Sequence, residues 1–162
     1  FSSIIRSRYC QIVHISKEQY EERVSSLISK LHGDCLLLTP KENLRTHLPS
    51  EVTSITEWPQ ITKHEVFNSI ISIGQLAISE NLIDFLSQLQ HYANRDSLLY
   101  FCDRTIVPDI RKGSAKNDIT GSLWQSQWSV IRCERFAIGK YKRAPRYVFG
   151  TARVKRSNDE HL

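Results

Sequence analysis

VFNSIISIGQLAISENLIDFLSQLQHYANRDSLLYFCDRT, residues 66–105, decides the fold. It opens on an apolar run, residues 66–73, that Gly74 ends, the pattern of a strand buried on both faces. Ser79 is placed to cap a helix, because its hydroxyl can accept a free N–H of the first turn. Behind it Leu82, Ile83, Phe85, Leu86, Leu89 and Tyr92 form one apolar face at helical spacing. Asn94, Arg95 and Asp96 turn the chain into residues 97–102, SLLYFC, the most hydrophobic strand of the sequence. A strand, a helix and a second strand in so short a span imply a parallel pair with a helical crossover.

The same alternation extends outward. Upstream, Ser16 followed by Gln19 has capping-box spacing, and Tyr20, Val24, Leu27, Ile28 and Leu31 recur at helical spacing until Gly33 stops the helix. Residues 34–39, DCLLLT, read as a buried strand, residues 40–48 as one or two helical turns, and residues 51–58 as a second strand carrying Val52 and Ile55. Downstream, a polar loop runs to Lys116 and Asp118 caps a helix to about Gln127. Residues 128–136 and 146–154 form two last strands with no helix between them, hence an antiparallel pair. The expectation is a six-stranded α/β sheet, mostly parallel, with helices on both faces and a C-terminal antiparallel hairpin.

A chain of 162 residues, 40% apolar, supports one domain. Its expected limits are 17–156, between a basic N-terminal extension, 1–16, and a tail, 157–162. The longest apolar runs fall far below the roughly 18 residues of a membrane-spanning helix, so no span is expected. Cys10, Cys35, Cys102 and Cys133 form no CxxC pair, and three lie in apolar strand-like runs, which points to a reducing intracellular compartment without zinc or disulfides. Residues 1–17 carry Arg6, Arg8, Lys17 and four serines and no acid, the composition of a transit peptide or its remnant, so a mitochondrial location is expected. The net charge of +5 is concentrated in residues 140–156, with seven cations and no acid. Within that block Lys140, Lys142 and Arg143 fall in the loop, free of strand alternation, and are the expected contacts to an acidic partner.

The order of elements, and several segments themselves, resemble the class I S-adenosylmethionine-dependent methyltransferases. DCLLLTPKENLRTHLPSEVTSITEWP, residues 34–59, resembles that family's first strand, cofactor loop, first helix and second strand. Residues 66–78 and 81–105 resemble its fourth strand, the next helix and the fifth strand, and residues 117–136 and 146–154 its last helix and closing strands. The resemblance covers about residues 17–156. It implies cofactor-binding roles for Thr39 and Asn43 in the loop, for Glu57 as the acid that grips the ribose hydroxyls, and for Asn68 and Gly74 on the fourth strand.

The chain departs from the family in two places. The loop that should hold the cofactor reads Thr39, Pro40, Lys41, Glu42, Asn43, with no glycine between Gly33 and Gly74. Such a loop needs glycines to turn tightly and present N–H groups; Pro40 has no N–H, and Glu42 places a negative charge near the expected methionine carboxylate. Only residues 59–65 separate the second strand from the next. Seven residues reach roughly 23 Å, enough to return along a strand and too few for a crossover helix. The family's third strand and its helix are therefore expected to be missing, and with them part of the adenine wall.

Asp103, Arg104 and Thr105 sit at the carboxyl end of the 97–102 strand, the edge where open α/β sheets bind ligands, although Asp103 also suits a turn. His14, His32, His47, His64, His91 and His161 share no metal-ligand spacing, and no GxSxG, Walker or Cys/His nucleophile pattern occurs. Trp58, Trp124 and Trp128 read as core or interface aromatics. Two functions follow. One is a degenerate methyltransferase-like domain without cofactor, serving as a structural or assembly subunit of a larger protein or ribonucleoprotein complex, its basic hairpin meeting RNA. The alternative is an active small methyltransferase that uses S-adenosylmethionine through an atypical loop.

Overall fold

The computed structural model describes residues 12–39, 52–57, 66–109, 113–116, 118–140 and 144–156, with the backbone alone for 53, 54, 56, 57, 106–109 and 113–116. In chain order the elements are β1 (Val13–Ile15), α1 (Lys17–Ile28), β2 (Gly33–Leu38), β3 (Val52–Glu57), β4 (Phe67–Ile73), α2 (Gln75–Ile78) and α3 (Leu82–Leu89). They continue with β5 (Ala93–Arg104), β6 (Ile106–Asp109), β7 (Gly113–Lys116), α4 (Ile119–Gln125), β8 (Trp128–Ile138) and β9 (Arg146–Val154).

Seven strands form one sheet in the order β1-β8-β9-β5-β4-β2-β3, and β6 with β7 makes a separate hairpin. All neighbours in the large sheet are parallel except those of β9, which runs against both β5 and β8. The six expected strands are all present. β1 is a seventh, pairing with the end of β8 through Val13, His14 and Ile15. The hairpin of β6 and β7 lies where a polar loop was expected. Among the described residues no strand lies beyond β3, and residues 40–51 and 58–65, which carry the short-helix and missing-strand expectations, fall outside the described residues.

Side-chain alternation builds two cores. Leu36, Leu38, Ile70, Leu99, Phe101 and Val148 face α2, α3 and α4, meeting Leu76, Leu82, Leu86, Leu89, Ile119 and Leu123. Cys35, Leu37, Ile71, Ile73, Tyr100 and Cys102 face the other way and meet Leu27 and Ile28 of α1. A strand covered on both faces is apolar at every position, which is why these runs read continuously. Each buried leucine of α3 contributes about 1.5–3 kcal/mol over its exposed state.

The helix ends obey local chemistry. Ser16 caps α1 with a full capping box, its hydroxyl taking the Gln19 N–H and the Gln19 side chain returning to the Ser16 N–H. Asp118 caps α4 by accepting from Gly121 N at 3.1 Å. The cap of α3 is Asn81, and not Ser79: Asn81 Oδ1 accepts from Asp84 N, while the Ser79 hydroxyl donates back to Gln75 O and closes α2. Asn94 does turn the chain, its Oδ1 accepting from Asp96 N at 2.8 Å, but the turn is a bulge within β5. Of the three described cysteines, Cys35 and Cys102 are buried and Cys133 is exposed, because β8 lies near the sheet's open side and is covered there only at Phe136, Ala137 and Ile138.

Candidate functional site

The parallel strands β2, β3, β4 and β5 end along one edge. Register places Leu37 beside Glu57 and Ile71, Leu38 beside Ser72, and Ile73 beside Cys102. Thr39, Glu57, Gly74 and Asp103 therefore share the carboxyl edge, where ligands of open α/β sheets lie.

Asp103 is the centre of this edge. It is fully buried and hydrogen-bonded: Ser72 Oγ donates to its Oδ2 and Ala77 N to its Oδ1, both at 3.1 Å. Ser72 Oγ also accepts from Leu76 N at 3.3 Å. The chain leaves β4 through Gly74, at φ 93°, a backbone state that side chains disfavour, and this turn aims the N–H groups of α2 at the carboxylate. Burial raises the Asp103 pKa from 3.8 to about 7, against the pull of hydrogen bonds from Ala77, Ser72, Leu76 and Gly74.

Thr39 closes the neighbouring gap: its hydroxyl donates to Ile73 O at 2.9 Å, tying the end of β2 to the end of β4. On the α1 face of the same edge, Tyr20, Phe136 and Tyr147 form an aromatic group, with ring centroids 5.1 Å apart for the two tyrosines and 5.6 Å for the stacked Phe136 and Tyr147. Arg23 lies over the Phe136 ring and pairs with Glu134. Burial pushes the Tyr20 phenol upward, and the Tyr147 phenol likewise against the pull of Arg104.

The expected site residues divide. Thr39 and Gly74 come together, and the backbone of Glu57 ends β3 on the same edge. Asn68 does not join them: it is the second residue of β4, at the opposite end, about 16 Å away at 3.3 Å per residue. There its Oδ1 accepts from Asp34 N at 3.2 Å, beside Gly33, whose φ of 66° starts β2. Asn43, Lys142 and Arg143 lie outside the described residues. Lys140 is exposed and follows Gly139, which is pinned by its N–H to Ile15 O and its carbonyl to the His14 ring. Ser72 was missed in the sequence, because its role depends on the register of β4 against β5.

Asp103 and Ser72 take up donors of Leu76 and Ala77, the Thr39 hydroxyl is engaged by Ile73 O, and the next residue, Pro40, has no N–H. The loop that follows Thr39, residues 40–51, lies outside the described residues, and no chemical step is derived through S-adenosylmethionine. Among them no group of three His, Cys, Asp or Glu side chains could hold a metal, and no helix is long and apolar enough to cross a membrane.

No family model matches the sequence, and no curated protein matches it. Solved structures do. The Burkholderia thailandensis 1,6-didemethyltoxoflavin-N1-methyltransferase, bound to its substrate and S-adenosylhomocysteine, aligns at TM-score 0.60 and 8% identity over 88% of this chain and 92% of that one. The N-methyltransferase NodS of Bradyrhizobium japonicum, with S-adenosylhomocysteine, aligns at TM-score 0.60 and 10% identity over 87% and 89%. The [4+2]-cyclase SpnF aligns at TM-score 0.58 and 12% identity over 87% and 83%, so this architecture also carries other chemistry. The chain has the Rossmann-like fold of the class I S-adenosylmethionine-dependent methyltransferases.

Proposed function

We propose that this domain is a methyltransferase fold kept as a structural or assembly subunit of a larger complex, and not a working transferase. One observation carries the reading: at the carboxyl edge the Asp103 carboxylate is consumed in bracing the turn after β4. The glycine-free sequence after Thr39 supports it from the other side of the same edge. A mitochondrial ribonucleoprotein fits the basic, serine-bearing N-terminal stretch and the cationic loop at Lys140, Lys142 and Arg143, which would meet RNA or an acidic protein face by charge.

An active methyltransferase is the second reading, favoured by Glu57, an acid at the end of β3 on the ligand edge. Titration calorimetry with S-adenosylmethionine and S-adenosylhomocysteine separates the two. The assembly reading expects no binding at cofactor concentrations typical of cells. A dissociation constant in the low micromolar range, abolished by Glu57→Ala, would make the protein a cofactor binder and end the first reading.

A further inference from the structure

The basic block 140–156 does not present one surface. β9 spans Arg146–Val154, about 26 Å at 3.3 Å per residue. Lys140 and Arg146 therefore lie at the carboxyl edge, and Lys155 and Arg156 at the amino edge.

At the amino edge one of these cations, Lys155, meets an exposed aromatic ring. Trp124, in the last turn of α4, is 52% exposed, and Lys155 Nζ lies 4.5 Å from its ring centroid. Arg156 Nη2 donates to Arg95 O at 3.2 Å and stands 3.7 Å from Asp96 Oδ1. Arg95 is exposed beside them, and Asp96, 94% exposed at its side chain, is the acid of this corner among the described residues. The frame beneath is fixed. Gln90 Nε2 donates to Ser126 O and Gln127 O at 2.8 and 2.7 Å, Lys155 N donates to Gln127 O at 2.9 Å, and Trp128 Nε1 donates to Leu86 O at 2.8 Å.

We propose that this corner binds single-stranded RNA, with Lys155, Arg156 and Arg95 at the phosphates and an unpaired base on the Trp124 ring. A cation and a flat ring held at one point match the two halves of a nucleotide. Duplex RNA keeps its base faces inside the stack, so the ring selects single strands. An acidic peptide would answer the cations and leave the ring without a flat partner. The inference deepens the assembly reading and depends on it for the source of the RNA, but the corner shares no residue with the carboxyl edge.

The test uses the full chain and a decaadenylate, read by tryptophan fluorescence and by anisotropy of a labelled copy. In a Trp58→Phe background, binding is expected to quench the fluorescence, because of the two remaining tryptophans Trp124 is exposed and Trp128 is buried. Trp124→Phe removes the quench, and Trp124→Ala weakens binding about tenfold. Lys155→Gln with Arg156→Gln weakens binding and lowers the slope of log affinity against log salt by about 1.4. Replacing Lys140, Lys142 and Arg143 by Gln leaves the quench in place, which separates this corner from the loop. The proposal is overturned if the quench survives Trp124→Phe, if polyglutamate produces the same quench, or if the decaadenylate does not bind at all. None of these results bears on whether the domain binds S-adenosylmethionine.

Discussion

The two ends of the sheet use charge in opposite ways. At the carboxyl edge the decisive charged group, Asp103, points inward and its acceptors are filled by Ser72 and Ala77. At the amino edge Lys155 lies over an exposed Trp124, while Arg156 reaches Arg95 O and Asp96. In this architecture the first edge is where a ligand is expected and the second is ordinarily only the back of the sheet. The difference teaches that fold alone does not locate function: a carboxylate satisfied by its own backbone stabilises the domain, and only groups turned to solvent can meet a partner.

The largest test of this contrast is Asp103→Ala. It leaves the Ala77 N–H and the Ser72 hydroxyl buried without that acceptor, at a cost on the order of 3–4 kcal/mol. For a domain of this size that lowers Tm by about 10 °C. A fall under about 3 °C would mean that the turn after β4 does not depend on the carboxylate. Asp103→Asn keeps an acceptor and removes the charge, so the pair isolates titration. The folded pKa is raised from 3.8 to about 7, so the folded state holds the proton more tightly. The resulting stability is present in full below about pH 4 and is lost as pH rises through 7. The stability of wild type relative to Asp103→Asn should therefore decline between about pH 4 and 8; a flat difference would show the acid to be solvated, and a growing one would show that its hydrogen bonds favour the ionised form over burial.

The next effect contrasts two tryptophans four residues apart. Trp128 is fully buried in the core shared by α3 and α4 and donates to Leu86 O. Trp128→Phe loses volume and leaves the Leu86 carbonyl without that donor, costing about 2 kcal/mol. Trp124→Phe, on the exposed side, should change stability by about 0.5 kcal/mol or less. Thermal melts that ranked them the other way would place Trp128 outside the core packed by α3 and α4.

Much of this was legible in the sequence, and the gaps have physical causes. Ser16 with Gln19, and Asp118, announce their helices because capping is a local transaction within three residues. The strands at β4, β5, β8 and β9 are long enough for their apolar pattern to be decisive. β1 was not foreseen, since three residues carry no periodicity and its partner, the end of β8, lies more than a hundred residues away. Ser79 gave way to Asn81 because Gly74 starts a separate turn, α2, that a periodic reading merges with α3. At the site, the place of Asp103 could be read from the end of an apolar run. The role of Ser72 could not, because it depends on the register of β4 against β5. Asn68 was misplaced for a similar reason: resemblance gave the strand, but only the structure shows that the residue begins it.

The smallest expected effect on stability falls on the loop that closes the carboxyl edge beyond β8. Replacing Lys140, Lys142 and Arg143 by Gln removes three charges next to Gly139, whose hydrogen bonds to Ile15 and His14 run through its own backbone and do not involve the lysine side chain. Lys140 is exposed, and surface charges contribute little to folding, so Tm should shift by about 1 °C or less. Association with the native complex is a different matter, because each cation that neutralises a phosphate releases a counterion. Loss of three such contacts lowers the salt slope by about 2 on single-stranded RNA. The two readouts together decide the role of the loop. An unchanged Tm with a lower slope assigns it to the partner, and an unchanged Tm with an unchanged slope leaves it a solvated surface, so that any RNA contact would have to come from the Trp124 corner at the other end of β9.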